Sequence, residues 1–129
     1  NRVTGSIVSD RSGKATPYAI ESIQERASLF VAPTEPVYEG MIVGENSRSE
    51  DMDINIVREK KQTNVRAAGS DNTVKLVPPR VLSLEHALEF IAADEAVEVT
   101  PLSLRLRKVD LDSTTRARAR KQLKADRTA

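Results

Sequence analysis

This 129-residue sequence has no cysteine and no tryptophan, and its single histidine is His86. Without cysteine, disulfides and thiolate metal sites are excluded, and a reducing cytosol is the natural setting. One histidine is too few for a histidine-rich metal centre, which needs two or three further ligands of suitable type. Aromatic residues are scarce: Tyr18, Phe30, Tyr38 and Phe90. The core must therefore come mainly from Val, Ile, Leu and Ala. No apolar run approaches the roughly 20 residues that a membrane-spanning helix requires, so no membrane partner is expected. No signal peptide is visible, and Asn1 implies a chain that starts within a longer protein. The length suits one domain over 1–129 that buries roughly two-thirds of its unfolded surface.

Net charge is close to zero, with 20 basic and 19 acidic residues, but the charges are segregated. Residues 1–104 carry 11 basic against 16 acidic side chains, and residues 105–127 carry 9 against 3. A block running from Glu85 to Glu98 is acidic, whereas Arg58, Lys60, Lys61 and Arg66 form a separate basic cluster. Such asymmetry bears on partners rather than on fold.

Periodicity predicts a strand over 2–9 and a turn at Arg11–Ser12–Gly13. Thr16 then reads as an N-cap with Pro17 at the first helical position, and Ile20, Ile23 and Ala27 extend the helix to Ser28. Leu29–Val31 is a short apolar strand, and Pro33 and Pro36 bracket a turn. Val37–Glu45 is rich in strand formers, with Gly40 and Gly44 marking bends or close backbone approach. Ile54 and Ile56 alternate with polar residues, as in a half-buried strand. Residues 59–73 have no apolar periodicity, and a connection of that length is often functional. Val74–Val77 resumes as a strand. Ser83 caps a helix whose apolar face is Leu84, Ala87, Leu88 and Ile91. Val97 and Val99 begin a strand, and Leu102, Leu104 and Leu106 alternate with Ser103, Arg105 and Arg107. Ser113 caps a last helix over 114–124 with a thin apolar face of Ala117 and Leu123, and the basic segment 113–129 is expected to fray. Strands outnumber helices and do not alternate with them. The fold class is therefore α+β, with a mixed, largely antiparallel sheet and two to three short helices; closure into a barrel stays open.

No constellation of residues reads as catalytic. Gly13–Lys14–Ala15–Thr16 fails as a phosphate-binding loop, because Ala15 separates Lys from Thr and no glycine stands five residues earlier. The acidic residues lack the spacing of a cation-binding loop, so no metal site is expected. The loop over 58–72 is more informative. Arg58, Lys60, Lys61 and Arg66 offer cations for phosphates, and Gln62, Thr63 and Asn64 offer neutral hydrogen-bonding groups. The loop has no aromatic residue, so stacking on a base would fall to Arg66. Arg105, Arg107 and Lys108 are further candidate RNA contacts. The tail from Arg116 to Arg127 suits either a nucleic-acid arm or a solubilising end.

Ordered blocks of the sequence resemble one family. They are Gln24–Glu25–Arg26, Val37–Tyr38–Glu39–Gly40–Met41–Ile42–Val43–Gly44 and Thr63–Asn64–Val65–Arg66–Ala67–Ala68–Gly69–Ser70–Asp71. Further on come Leu82–Ser83–Leu84–Glu85, Ala87–Leu88–Glu89–Phe90–Ile91, Val97–Glu98–Val99–Thr100–Pro101 and Leu104–Arg105–Leu106–Arg107–Lys108. Together they are similar to the C-terminal domain of BipA/TypA, a family of ribosome-associated translational GTPases related to elongation factor G. The resemblance runs from Asn1 to about Arg120. Ala27 and Thr34 stand where the family commonly has glycine, His86 replaces Gln, and the segment from Thr115 diverges.

The resemblance implies a ribosome-binding module without catalytic residues or cofactor of its own, GTP and magnesium belonging to a preceding domain. It implies contact of the 58–71 loop with 23S rRNA and the acceptor end of A-site tRNA, and carries RNA contact onto Arg58, Lys60, Lys61, Thr63, Asn64 and Arg66. The implied partners are the ribosome and the other domains of the same factor. A cytoplasmic monomer is expected, linked to 50S subunit assembly and stress adaptation. The alternative is a protein-interaction domain docking a partner through the acidic 85–98 face.

Overall fold

Ile7 and Val8 are neighbours and both fully buried, yet they belong to different hydrophobic clusters. Side chains alternate across a strand, so a sheet whose successive residues are both buried must be covered on both faces. The computed structural model, which describes residues 3–59 and 76–128, has this arrangement. Its strands are β1 (Ser6–Ser9), β2 (Gly13–Lys14), β3 (Ala27–Leu29), β4 (Pro36–Val37), β5 (Met41–Asn46), β6 (Met52–Ile54), β7 (Glu95–Val99) and β8 (Leu104–Lys108). The helices among the described residues are α1 (Pro17–Gln24), α2 (Leu84–Phe90) and α3 (Ser113–Thr128).

The main sheet runs β6-β1-β5-β8-β7, with β3 also pairing β5. Every pairing is antiparallel except β1 with β6. A separate two-stranded ladder joins β2 to β4. The main sheet ends on β6 and β7, so it is open, and the barrel left open by the sequence is not formed. On one face, Ala19, Ile20 and Ile23 of α1 pack with Ile7, Met41 and Val43. On the other, Ala87 and Phe90 of α2 pack with Val8, Ile42 and Leu106, and the Phe30 and Phe90 rings meet edge to face at 5.4 Å.

Local signals set most of the elements. The Thr16 hydroxyl accepts the Ala19 N–H and Pro17 begins α1, as the sequence predicts. Ser83 Oγ likewise accepts the His86 N–H. Gly40 lies at φ 93°, and a Cβ there would meet Leu111 Cα at 2.7 Å. Gly44 is a close approach of the other kind, since its Cβ would come within 2.8 Å of the Ser28 carbonyl oxygen.

Several elements differ from the sequence expectation. α1 ends at Gln24, not Ser28, because Ala27–Leu29 pairs with Asn46, Glu45 and Gly44; the ladder overrides the helical period. α2 turns Ala87 and Phe90 inward and leaves Leu84 and Leu88 exposed. Leu102 lies in the turn after Pro101 and is 97% exposed. Leu76 and Val77 are in an irregular segment, and Val74 falls outside the described residues. α3 is capped by Asp112 rather than Ser113, and runs to Thr128. Ala117 is exposed, and Arg116 is the buried residue of α3 among its described side chains.

Candidate nucleic-acid interface

Residues 58 and 77 flank the aperiodic basic segment, and both flanks are fixed to α1. The Thr16 hydroxyl donates to the Arg58 carbonyl at 2.5 Å, so one side chain caps the helix and ties down the outgoing strand of the loop. At the opposite end of the helix, Gln24 Oε1 accepts the Val77 N–H at 2.9 Å, and Leu76 packs against the first core. The Arg80 N–H then donates to the Leu29 carbonyl. An eight-residue helix therefore holds both roots of the loop.

Arg58 is exposed, with its guanidinium carbon 5.1 Å from the centroid of the Tyr18 ring and Nη2 donating to the Tyr18 hydroxyl at 3.0 Å. Tyr18 was not among the residues expected at the site. It lies 40 residues earlier in the chain, and only the fold brings it to the loop root. It brings an aromatic ring to the loop root, where it holds the Arg58 guanidinium in a cation–π arrangement. Lys60, Lys61, Thr63, Asn64 and Arg66 lie outside the described residues.

The second candidate group separates. Arg105 is half-buried on β8, opposite Glu98 of β7. Together with Arg80 it borders a cleft that includes Phe30, Leu82 and Leu104. Arg80 sits 5.3 Å from the Phe30 centroid and pairs with Glu45 at 2.8 Å. Arg107 folds back along its own strand: Nη1 donates to the Lys108 and Val109 carbonyls, and Nε lies 3.5 Å from Glu98.

Lys108 must be removed from the RNA-facing set. It is 1% exposed, and its ammonium contacts Asp51 at 2.5 Å, Glu95 at 2.8 Å and Asp94 at 2.9 Å. Ser6 Oγ donates to the same Glu95 oxygen, and the Ala92 N–H donates to its other one. Burial alone would lower the Lys108 pKa, but hydrogen bonds to Asp51, Glu95 and Asp94 outweigh it and raise the pKa above its ordinary value. The group joins β1, β7, β8 and the turn before β6, and is a structural lock.

The same contacts engage part of the acidic block. Asp94 and Glu95 serve Lys108, and Glu98 accepts from the Tyr38 hydroxyl. The Tyr38 phenol is pushed well above its ordinary range, first by burial and then by Glu98. Glu85 and Glu89 are exposed on α2, and Asp94 and Glu98 stay partly exposed despite these contacts. No group of three or more metal-ligating side chains occurs among the described residues. No helix among them is long and apolar enough to cross a membrane.

Residues 4–113 match the profile of the TypA/BipA C-terminal domain. The chain is 47% identical over 123 residues to the large ribosomal subunit assembly factor BipA of Bacillus subtilis (strain 168), covering 95% of this chain and 20% of that protein. It is equally identical over 125 residues to the protein of the same name from Salmonella typhimurium, covering 97% and 21%. The Haemophilus influenzae protein matches over 118 residues at 47%, covering 92% and 19%. The chain thus spans about a fifth of the length of these relatives. With the profile covering both cores and the loop between them, the chain belongs to the TypA/BipA C-terminal domain family.

Proposed function

We propose that this domain is the ribosome-binding module of a longer translational GTPase that acts in assembly of the large ribosomal subunit. The relatives' names support the assembly role. The structural observation that carries the reading is the double anchorage of the basic loop on α1. The anchorage places the two ends of the segment that carries Lys60, Lys61 and Arg66 as cations for phosphates and Thr63 and Asn64 as neutral hydrogen-bonding groups. Arg58, stacked on Tyr18, places a further cation where the loop leaves the fold. In this reading the loop contacts 23S rRNA and the acceptor end of A-site tRNA, Arg105 adds a lateral contact, and GTP and magnesium belong to a preceding domain. The domain performs no bond chemistry. The factor works in the cytoplasm, as a monomer, and takes part in stress adaptation.

The test is co-sedimentation of the full-length factor, loaded with a non-hydrolysable GTP analogue, with 70S ribosomes across a salt series. Lys60→Glu/Lys61→Glu is expected to lose pelleting, and the wild type to show a steep fall with salt. Equal pelleting of both proteins with little salt dependence refutes the loop assignment.

A further inference from the structure

The family profile ends at residue 113, where α3 begins, so α3 lies outside what that match covers. α3 has an inner side and an outer side. Arg116 points inward, is 7% exposed, and pairs with Asp53 of β6 through Nη1 at 2.8 Å. The helix adds no described apolar side chain to either core. Where it meets the sheet, it leaves a cavity bordered by Asp51, Asp94, Lys108, Val109, Arg116 and Ala119. Arg120 borders the same cavity, whereas Arg118 and Lys121 are exposed away from it.

Most of the neighbouring carboxylates are engaged, Asp110 being exposed at the rim of the same cavity. Asp53 holds Arg116, and Asp51 and Asp94 hold Lys108. Asp112 caps the helix, taking the Thr115 hydroxyl at 2.7 Å and the Thr114 N–H at 3.3 Å, which keep its carboxyl below the ordinary range. Of the exposed cations, Arg118 lies within coulombic reach of Asp112, and Lys121 is exposed on the next turn.

The position of α3 is the second observation. Asp53, its anchor, lies five residues before Arg58, the root of the basic loop. Five residues span at most about 18 Å. α3 and the loop root thus flank the edge strand β6 from opposite faces of the sheet. A lipid surface does not fit, because α3 has no wide apolar side to bury in a bilayer.

We infer that α3 is a second RNA-binding element, which places Arg118 and Lys121 on backbone phosphates so that one RNA is held on both sides of β6. Residues three apart on a helix stand about 5–6 Å apart at Cβ, within reach of adjacent phosphates of one strand. The contact is electrostatic and carries no base specificity.

The inference extends the proposed RNA role of the loop, and its test is separable from that of the loop. Full-length factor carrying Arg118→Glu/Lys121→Glu, or the neutral pair Arg118→Gln/Lys121→Gln, is titrated with a labelled RNA hairpin over a salt series, beside the Lys60→Glu/Lys61→Glu protein. The α3 reversal is expected to weaken binding by roughly tenfold and lower the salt slope by about two units. The neutral pair is expected to have a smaller effect in the same direction, and far-UV circular dichroism and the melting temperature should stay at wild-type values. If both α3 variants bind with the wild-type slope, α3 is a solubilising end and the inference is wrong, whatever the loop variant does. A loss of ribosome pelleting with hairpin binding intact also overturns it, since the partner of α3 is then a protein.

Discussion

Replacing Lys108 with methionine keeps most of the side-chain volume and removes the ammonium that faces three carboxylates. The consequences for the three differ. Asp94 is 67% exposed and rehydrates at little cost. Asp51 is 25% exposed and keeps the Ser6 N–H at 2.8 Å. Glu95 has a fully buried side chain and loses the ammonium at 2.8 Å, keeping the Ser6 hydroxyl and the Ala92 N–H as donors. Breaking a buried ion pair from one side costs about 3–5 kcal/mol. For a domain of this size, that lowers the melting temperature by about 10–20 °C. The assay is urea denaturation of the domain at pH 7 followed by circular dichroism, with Lys108→Met/Glu95→Gln as the companion variant. Glutamine needs no counter-charge, so the double variant is expected to recover about half of the loss. If Lys108→Met costs less than about 1 kcal/mol, the buried cluster does not hold the fold together and the argument fails. Below its melting temperature the folded Lys108→Met protein should show the wild-type salt slope for RNA binding, since Lys108 is not at the surface.

The same lysine predicts an alkaline limit. Its folded pKa lies above the ordinary value of 10.5, so its stabilisation is complete below that pH and is lost as pH climbs through the raised value. Tyr38 titrates in the same direction, so the measurement is the stability difference between wild type and Lys108→Met: flat from pH 7 to 10 and shrinking above. Thr34 sits at φ 70°, a left-handed conformation that disfavours a β-branched residue. Thr34→Gly is expected to stabilise by about 0.5–1 kcal/mol in thermal melts; destabilisation refutes the strain. Thr16→Ala should cost about 1 kcal/mol for the lost cap, and Thr16→Ser should restore it. If the Thr16 bond to Arg58 steadies the loop, Thr16→Ala also speeds proteolysis near residue 58, and unchanged cleavage argues against that link.

What could be read from the sequence is what short-range chemistry decides. Thr16–Pro17 and Ser83 are complete cap signals within four residues, and both form. Glycines 40 and 44 mark a bend and a close approach. The aperiodic basic segment and the ordered family blocks made both the loop and the family visible. Two kinds of information were missed. The first is pairing at a distance: Ala27 fits the helical period, but its backbone goes to Asn46, and Tyr18 meets Arg58 only in the folded chain. The second is the parity of a strand. Lys108 shares the parity of Leu104 and Leu106, so the alternation itself points it inward; grouping it with Arg105 and Arg107 by charge set that aside. Charge alone also hides that three carboxylates of the 85–98 stretch serve partners in the chain.

The two cores also differ in when they can form. Apart from Leu76, every residue of the α1 cluster precedes Arg58, whereas the α2 cluster needs Leu82, Phe90 and Leu106. A chain being made from its N-terminus can therefore close the first core while the opposite face of the sheet, with Val8, Phe30 and Ile42, still faces water. At about 5–20 residues per second, the roughly fifty residues from Val57 to Leu106 take about 3–10 s to add. For that interval the nascent domain carries an apolar face still waiting for α2 and β8 to cover it.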